Sequence, residues 1–425
     1  MWQCHDAAPP QAETRRSDSM SSASPSPDAG SAPQAGEDAP RRSRADLKAA
    51  LAAAFATFYL PLGIQMPYLP LWLQYRGLDP QEIGIAIAVP LVARLFATPV
   101  VGILSDRMGR PRATLTVLGA MSVLTTGLLA LSIDPFVIFV VLGVIALSWN
   151  PSFALLDSYA SRQARAGRAD YGRARQWGSG AFLVANVAGG FLITLTGAGS
   201  VVLWMVLGHL SYLAASLLLP ELPAPPRPAA REEGRGRVPV ALALGVVAVA
   251  LVQASHALLY AFASVHWRAE GWSLTVIGLL WAAGVAAEIV LFRFGTRLMI
   301  RFGPRRLIVL GGLAAVARFG AMAFDPPLGL LFALQLLHGF TFGATYLGMV
   351  EMVSRGVSAH RSGAGQSLAA WTVNIFMSAA TVVSGPLWVA MGAQAFVVSA
   401  ALGALGAAVA LATRWSQPHS SGGGG

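Results

Sequence analysis

The chain is 425 residues long, 55% hydrophobic and only 12% charged, with a mean hydropathy of +0.58 and a formal net charge of +10. Soluble globular proteins are about one quarter charged, so this is not such a composition. The high apolar content excludes a disordered chain, and the single cysteine, Cys4, excludes a disulfide framework. What remains is a polytopic membrane protein.

Of the 30 basic residues only Lys48 is a lysine, so no phosphate-cradling loop ending in Gly-Lys can be built. That excludes a Walker-type ATPase. The arginines fall in small clusters between apolar runs instead of forming one stripe, which argues against a nucleic-acid partner. They read better as topology signals.

In chain order, residues 1–44 are rich in Ser, Pro, Ala, Gln and Asp and read as a disordered tail. Nothing in it resembles a cleavable signal peptide, and Met20 within it could itself be the start. Apolar stretches long enough for a bilayer, about 20 residues each, then fall near 47–74, 80–105, 113–132, 135–160, 173–195 and 199–219. A second set falls near 238–265, 273–297, 307–324, 327–355, 363–390 and 393–413. The spacing predicts an all-α membrane protein of twelve helices in two six-helix halves, 45–219 and 239–414. A Pro-rich, charged linker, 220–238, separates them, and a flexible tail, 415–425, closes the chain.

Arginine crowds alternate connections: Arg107, Arg110 and Arg112; Arg162, Arg165 and Arg168; Arg227 to Arg237; Arg297 to Arg306; Arg355 and Arg361. The opposite loops hold only Arg76 and Arg268. Cytoplasmic loops retain Lys and Arg, so both termini are expected in the cytoplasm and the chain in the cell's inner membrane as a multi-pass protein.

The connection after the second segment reads Gly102-Ile-Leu-Ser-Asp106-Arg107-Met-Gly109-Arg110-Pro-Arg112, a short basic turn. A degraded copy follows the eighth segment, with Arg301 and Gly303 each 194 residues after Arg107 and Gly109. The turn resembles the signature between helices 2 and 3 of the major facilitator superfamily, whose fold is two parallel six-helix halves. Asp106, Arg107, Gly109 and Arg110 are therefore the candidate gating loop. The same offset carries Arg94 onto Glu288 and Asp157 onto Glu351, and such pairs are expected to face a shared cavity.

Charge at membrane depth is costly, so each such group is a functional candidate with a partner to be named. Arg94, Glu288, Arg318 and His338 fall near the middle of their segments. The last three come from consecutive segments at similar depth and could meet, the histidine being able to change charge near neutral pH. The bland alternative is a buried pairing that only pins helices, and for Arg94 the two readings are nearly even. Asp157 and Glu351 lie nearer segment ends, where a gate or loop ion pair is as good a reading as a solute contact. His256 is split between cavity lining and packing.

Pro61, Pro67 and Pro70 in the first segment and Pro90 and Pro99 in the second would kink helices that line a cavity. Gly339 and Gly343 have the spacing for close helix packing. Trp149, Tyr159, Trp177, Trp281 and Trp371 could stack on a solute ring or serve as belt and core. There is no His/Cys cluster with metal-ligand spacing and no cofactor motif or Ser/His/Asp arrangement, so no enzyme is expected.

From about 47 to 413 the sequence resembles the branch of that superfamily that contains the 3-phenylpropionic acid permease and, more distantly, lactose permease. Asp170-Tyr-Gly-Arg-Ala-Arg-Gln-Trp-Gly-Ser179, Gln253-Ala-Ser-His256, Ala287-Glu288, Ala317-Arg318-Phe-Gly320 and Leu337-His338-Gly-Phe340 carry the likeness. The resemblance implies a proton-coupled carrier of a small organic solute that works as a monomer without cofactors. Within it, Asp157 and Arg175 match the solute-holding acid and arginine, while Glu288, Arg318 and His338 match the group that joins solute binding to proton movement. Two positions depart: Thr341 stands where the proton-carrying glutamate is expected, and Phe182 where a ring-stacking tryptophan is expected. Glu288 is then the best remaining proton carrier, with Asp157 second. Arg94, a midplane guanidinium suited to a carboxylate, favours an aromatic or other carboxylic acid as solute. Arg94, Asp157, Arg175, Phe182 and His256 make up the expected solute site. A sugar or nucleoside symporter, a drug or metabolite efflux carrier, and a transport-dead sensor or scaffold remain alternatives.

Overall fold

A computed structural model describes residues 44–221, 239–357 and 362–413, and all regular structure in them is helical. The predicted tails and most of the predicted linker lie outside the described residues. The first group of helices is α1 (Arg44–Tyr75), α2 (Pro80–Met108), α3 (Pro111–Leu131), α4 (Pro135–Arg165), α5 (Tyr171–Thr196) and α6 (Val201–Leu218). The second is α7 (Val240–Ala254), α8 (Ala257–Ala269), α9 (Leu274–Arg293), α10 (Gly295–Met322), α11 (Leu328–Leu336), α12 (Thr345–Gly356), α13 (Ser362–Met391) and α14 (Phe396–Ala412). Ten helical stretches among the described residues are long and apolar enough to cross a membrane. The last of these, Gly363–Ala412, contains both α13 and α14. Large apolar side chains face outward, among them Leu131 at 78% exposure and Phe136 at 72%, which suits lipid and would be costly in water.

Each group packs on itself, α1 against α5 and α6, α2 against α4, and α3 against α4 and α6; then α10 and α7 against α14 and α12 against α10. Helix starts are written in the sequence. Pro80 follows Asp79, whose carboxylate accepts from the Glu82 amide while the Glu82 carboxylate accepts from the Asp79 amide, a reciprocal cap. Asp134, Asp170 and Ser273 cap α4, α5 and α9 one-way, each side chain accepting from the amide three residues on. All three prolines of α1, expected to kink or break it, lie inside one continuous helix.

The repeated turn is a geometric repeat too. Gly109 ends α2 in the left-handed region at φ 65, and Gly303 interrupts α10 at φ 69, a conformation that glycine adopts without strain. Each is followed closely by a proline that starts the next helical run, Pro111 and Pro304. This is why α10 begins well before the predicted start at 307: a short basic helix precedes the turn.

The two groups meet where α2 packs on α13, α5 on α9 and α1 on α8. Their tightest approach is near the arginine-poor end. There the Tyr68 hydroxyl of α1 donates to the Asn186 carbonyl of α5 at 2.5 Å and lies 3.2 Å from the Leu274 carbonyl of α9. A Cβ on Gly278 would collide with that same Asn186 carbonyl and Tyr68 hydroxyl. Gly278→Val is therefore expected to destabilise this closed form by roughly 1–3 kcal/mol through overpacking, read as a lowered thermal midpoint of the purified protein in detergent.

Candidate functional site

Two irregularities interrupt otherwise regular helices, and both border one buried cluster. Ser255 and His256 separate α7 from α8, and a π-turn, Gly339–Ala344, follows His338 between α11 and α12; such turns concentrate at functional sites. The π-turn packs closely on α9, since a Cβ on Gly339 would lie 2.9 Å from the Ala287 carbonyl. That approach brings Glu288 beside His338.

Arg318, on α10, is 1% exposed. Its Nη2 donates to Gln335 Oε1 at 2.5 Å, and its Nη1 lies 3.1 Å from His338 Nδ1 and 3.3 Å from Thr341 Oγ1. On the far side of the imidazole, His338 Nε2 lies 3.8 Å from Glu288 Oε2. Thr341 Oγ1 is also 2.9 Å from Nε2 of His256, whose Nδ1 is 3.0 Å from the Gln253 carbonyl. The Gln253 amide in turn donates to Thr345 Oγ1 at 3.1 Å. The expected meeting of Glu288, Arg318 and His338 is thus present in the fold, with Thr341 and His256 attached to it. His256, placed in the expected solute site, is fully buried in this network.

A second cluster lies in the first group of helices. Arg175 Nη1 donates to the Tyr59 hydroxyl at 2.6 Å, and its guanidinium carbon lies 4.8, 5.4 and 5.9 Å from the ring centres of Phe153, Tyr59 and Phe55, within cation–π range. Phe182 meets Tyr59 edge-on at 6.4 Å. Asp157 Oδ1 accepts from the Tyr171 hydroxyl at 2.6 Å. Arg175 and Glu288 stand on α5 and α9, which pack on each other across the interface between the two groups. Arg94 donates to the Asn374 side chain of α13, also across that interface. Among the described residues no carboxylate pairs with Arg94, Arg175 or Arg318, and the described ion pairs are those of Arg173, His266, His338 and Arg355.

The offset of 194 does not organise these contacts. Glu288 sits with His338 and Arg94 with Asn374, and Glu351 pairs one turn along its own helix with Arg355 at 2.6 Å. In the candidate gating loop Gly109 makes the turn and Arg110 is exposed; the side chains of Asp106 and Arg107 lie outside the described residues. Of the highlighted aromatics, Trp149 stacks on Phe58 at 4.3 Å, Trp281 donates to Ser264, and Trp371 meets Phe96, which are packing roles. Sequence reasoning missed Tyr59, Phe153, Gln335 and Asn374. The two amides were findable as polar groups inside apolar segments, whereas Tyr59 and Phe153 look like any other membrane aromatic.

Residues 49–398 match the sequence profile of the MFS_1 like family. The chain belongs to that family. It is 29% identical to the probable 3-phenylpropionic acid transporter of Escherichia coli K12 over 72% of this chain and 81% of the relative. It is 28% identical to the maltose permease of Geobacillus stearothermophilus over 69% and 77%. A crystal structure of nucleoside transporter NupG shares the fold at a TM-score of 0.73 and 17% identity, over 87% of this chain and all of that one. A bacterial homolog of the human lysosomal transporter Spinster, in an inward-facing and unoccupied conformation, does so at 0.67 and 14%, over 89% and 100%. As a member of this family the protein is a multi-pass membrane transporter.

Replacing Asn374 by aspartate would give Arg94 a carboxylate partner across the interface. Asn374→Asp is expected to weaken binding of an anionic solute by tenfold or so, the order of a charge-assisted hydrogen bond, with an unchanged elution profile in detergent; scintillation proximity with a labelled acid measures it.

Proposed function

We propose that this protein is a proton-coupled symporter of a small aromatic or other organic carboxylate, working by alternating access in the cytoplasmic membrane. The observation that carries this reading is that Arg94, Arg175 and Arg318 donate their described hydrogen bonds to neutral groups, while the half-buried carboxylate of Glu288 stands against His338. An anionic solute supplies the missing countercharge, since a charge in a low-dielectric site needs a partner. The three rings around Arg175 suit an aromatic body attached to that carboxylate, and the relative named for 3-phenylpropionic acid points the same way.

In this reading the chain crosses the membrane twelve times with both termini in the cytoplasm, as two halves, 45–219 and 239–414, joined by 220–238. Such a carrier acts as a monomer and needs no cofactor. The Tyr68 contacts then close the outer side, and solute leaves toward the arginine-rich cytoplasmic side. Protonation of Glu288 from outside removes a negative charge facing Arg175, which frees that guanidinium for the solute. Solute bound at the midplane permits rocking to the inward-open state, and release of solute and proton resets the carrier.

Solute-induced alkalinisation outside lightly buffered cells tests this. Phenylpropionate-type acids should raise external pH, and Glu288→Gln should abolish the signal while keeping solute exchange. Alkalinisation with disaccharides or nucleosides instead would move the substrate class, export in whole cells would reverse the direction, and normal accumulation by Glu288→Gln would sink the proton assignment.

A further inference from the structure

The hydrogen-bond chain around Arg318 leaves little freedom in where its hydrogens sit. The Gln253 carbonyl can only accept, so His256 donates from Nδ1. Its Nε2 is then an acceptor in the neutral ring, and the Thr341 hydroxyl donates to it at 2.9 Å in preference to the His338 carbonyl at 3.4 Å. Having spent its one hydrogen, Thr341 Oγ1 accepts from Arg318 Nη1. A guanidinium only donates, so His338 Nδ1 must also accept from Nη1. The His338 hydrogen therefore sits on Nε2, the nitrogen that faces Glu288.

We propose that Thr341 and His256 are positioning residues: by hydrogen bonds they hold Arg318 on Nδ1 of His338, keep the His338 proton on Nε2, and so leave Glu288 as the one group of this cluster able to accept the transported proton. The proposal deepens the function proposed above and rests on it for the word transported. A proton arriving from water on one side adds to a Glu288 oxygen and returns to water on the other. It does not pass on to His338, because one ring nitrogen already carries hydrogen and the other is occupied by Arg318. The remaining ionisable groups facing the cluster are Tyr260, on α8, whose ring stacks on His256 at 5.7 Å, and, across the interface, Arg175 with the Tyr59 hydroxyl bonded to it. None of them is hydrogen-bonded to His338 among the described residues. The arrangement also explains a threonine where the family resemblance led us to expect an acid: a hydroxyl can serve Arg318 and His256 at once, accepting from one and donating to the other.

The test uses the full-length protein in lipid vesicles with nitrogen-15 labelled histidine, the His338 signal being the one lost in His338→Gln. In the wild type that signal should be of the Nε2–H form. Thr341→Val removes the bridge, lets Arg318 turn to His256 Nε2, and should convert the signal to a mixture of tautomers. Thr341→Ser and His256→Gln, which keep a hydroxyl and an acceptor in place, should resemble the wild type and control for folding. In the transport arm, Thr341→Val should retain exchange of 3-phenylpropionate but accumulate it several-fold less than Thr341→Ser does. An Nδ1–H signal in the wild type, or a spectrum unchanged in Thr341→Val, overturns the proposal. The expected spectra without any 3-phenylpropionate movement would uphold the positioning role and overturn the substrate reading instead.

Discussion

A guanidinium with 1% exposure in the middle of a membrane bundle is the constraint around which the second group of helices is arranged. Removing Arg318 from water is costly unless its donors are met, and here its two terminal nitrogens are met by neutral groups from one neighbouring segment, Gln335, His338 and Thr341. To present a carboxamide, an imidazole and a hydroxyl to one cation within seven residues, that segment departs from regular α geometry just after His338. The break in the facing helix at His256 borders the same cluster, the Gln253 carbonyl accepting from the His256 amide as well as from its imidazole ring. Local irregularity and buried charge are thus two views of one arrangement.

The all-helical membrane fold was legible in the sequence because a bilayer imposes coarse rules: runs of about 20 apolar residues, with proline and aspartate at helix starts. Glu288, Arg318 and His338 were legible for the same reason, since an ionisable group in an apolar run stands out. What the sequence hid is what chemistry alone cannot rank. Tyr59 and Phe153 are two aromatics in a chain with 19 Phe and 8 Tyr, and only their distance from Arg175 separates them from belt residues. The offset that relates Arg94 to Glu288 marks equivalent positions in the sequence and does not set contacts, Arg94 reaching Asn374 and Glu288 reaching His338.

The two groups of helices divide the work. The first offers a cation framed by rings on α5, the second a carboxylate held beside an imidazole and a second cation, the carboxylate standing on α9, which packs on α5.

The closure near the arginine-poor end is built differently from the charged clusters. Tyr68 reaches two main-chain carbonyls, and glycines on the facing helices let the backbones approach. No carboxylate, guanidinium or imidazole takes part in these described contacts, so salt finds no ion pair there to screen and proton uptake does not unlatch it. The charge clusters respond to both. The two regions of the interface therefore answer to separate variables, and the state of the charged centre can reach the far closure only as mechanical displacement of whole helices, never as a change of charge at the closure itself.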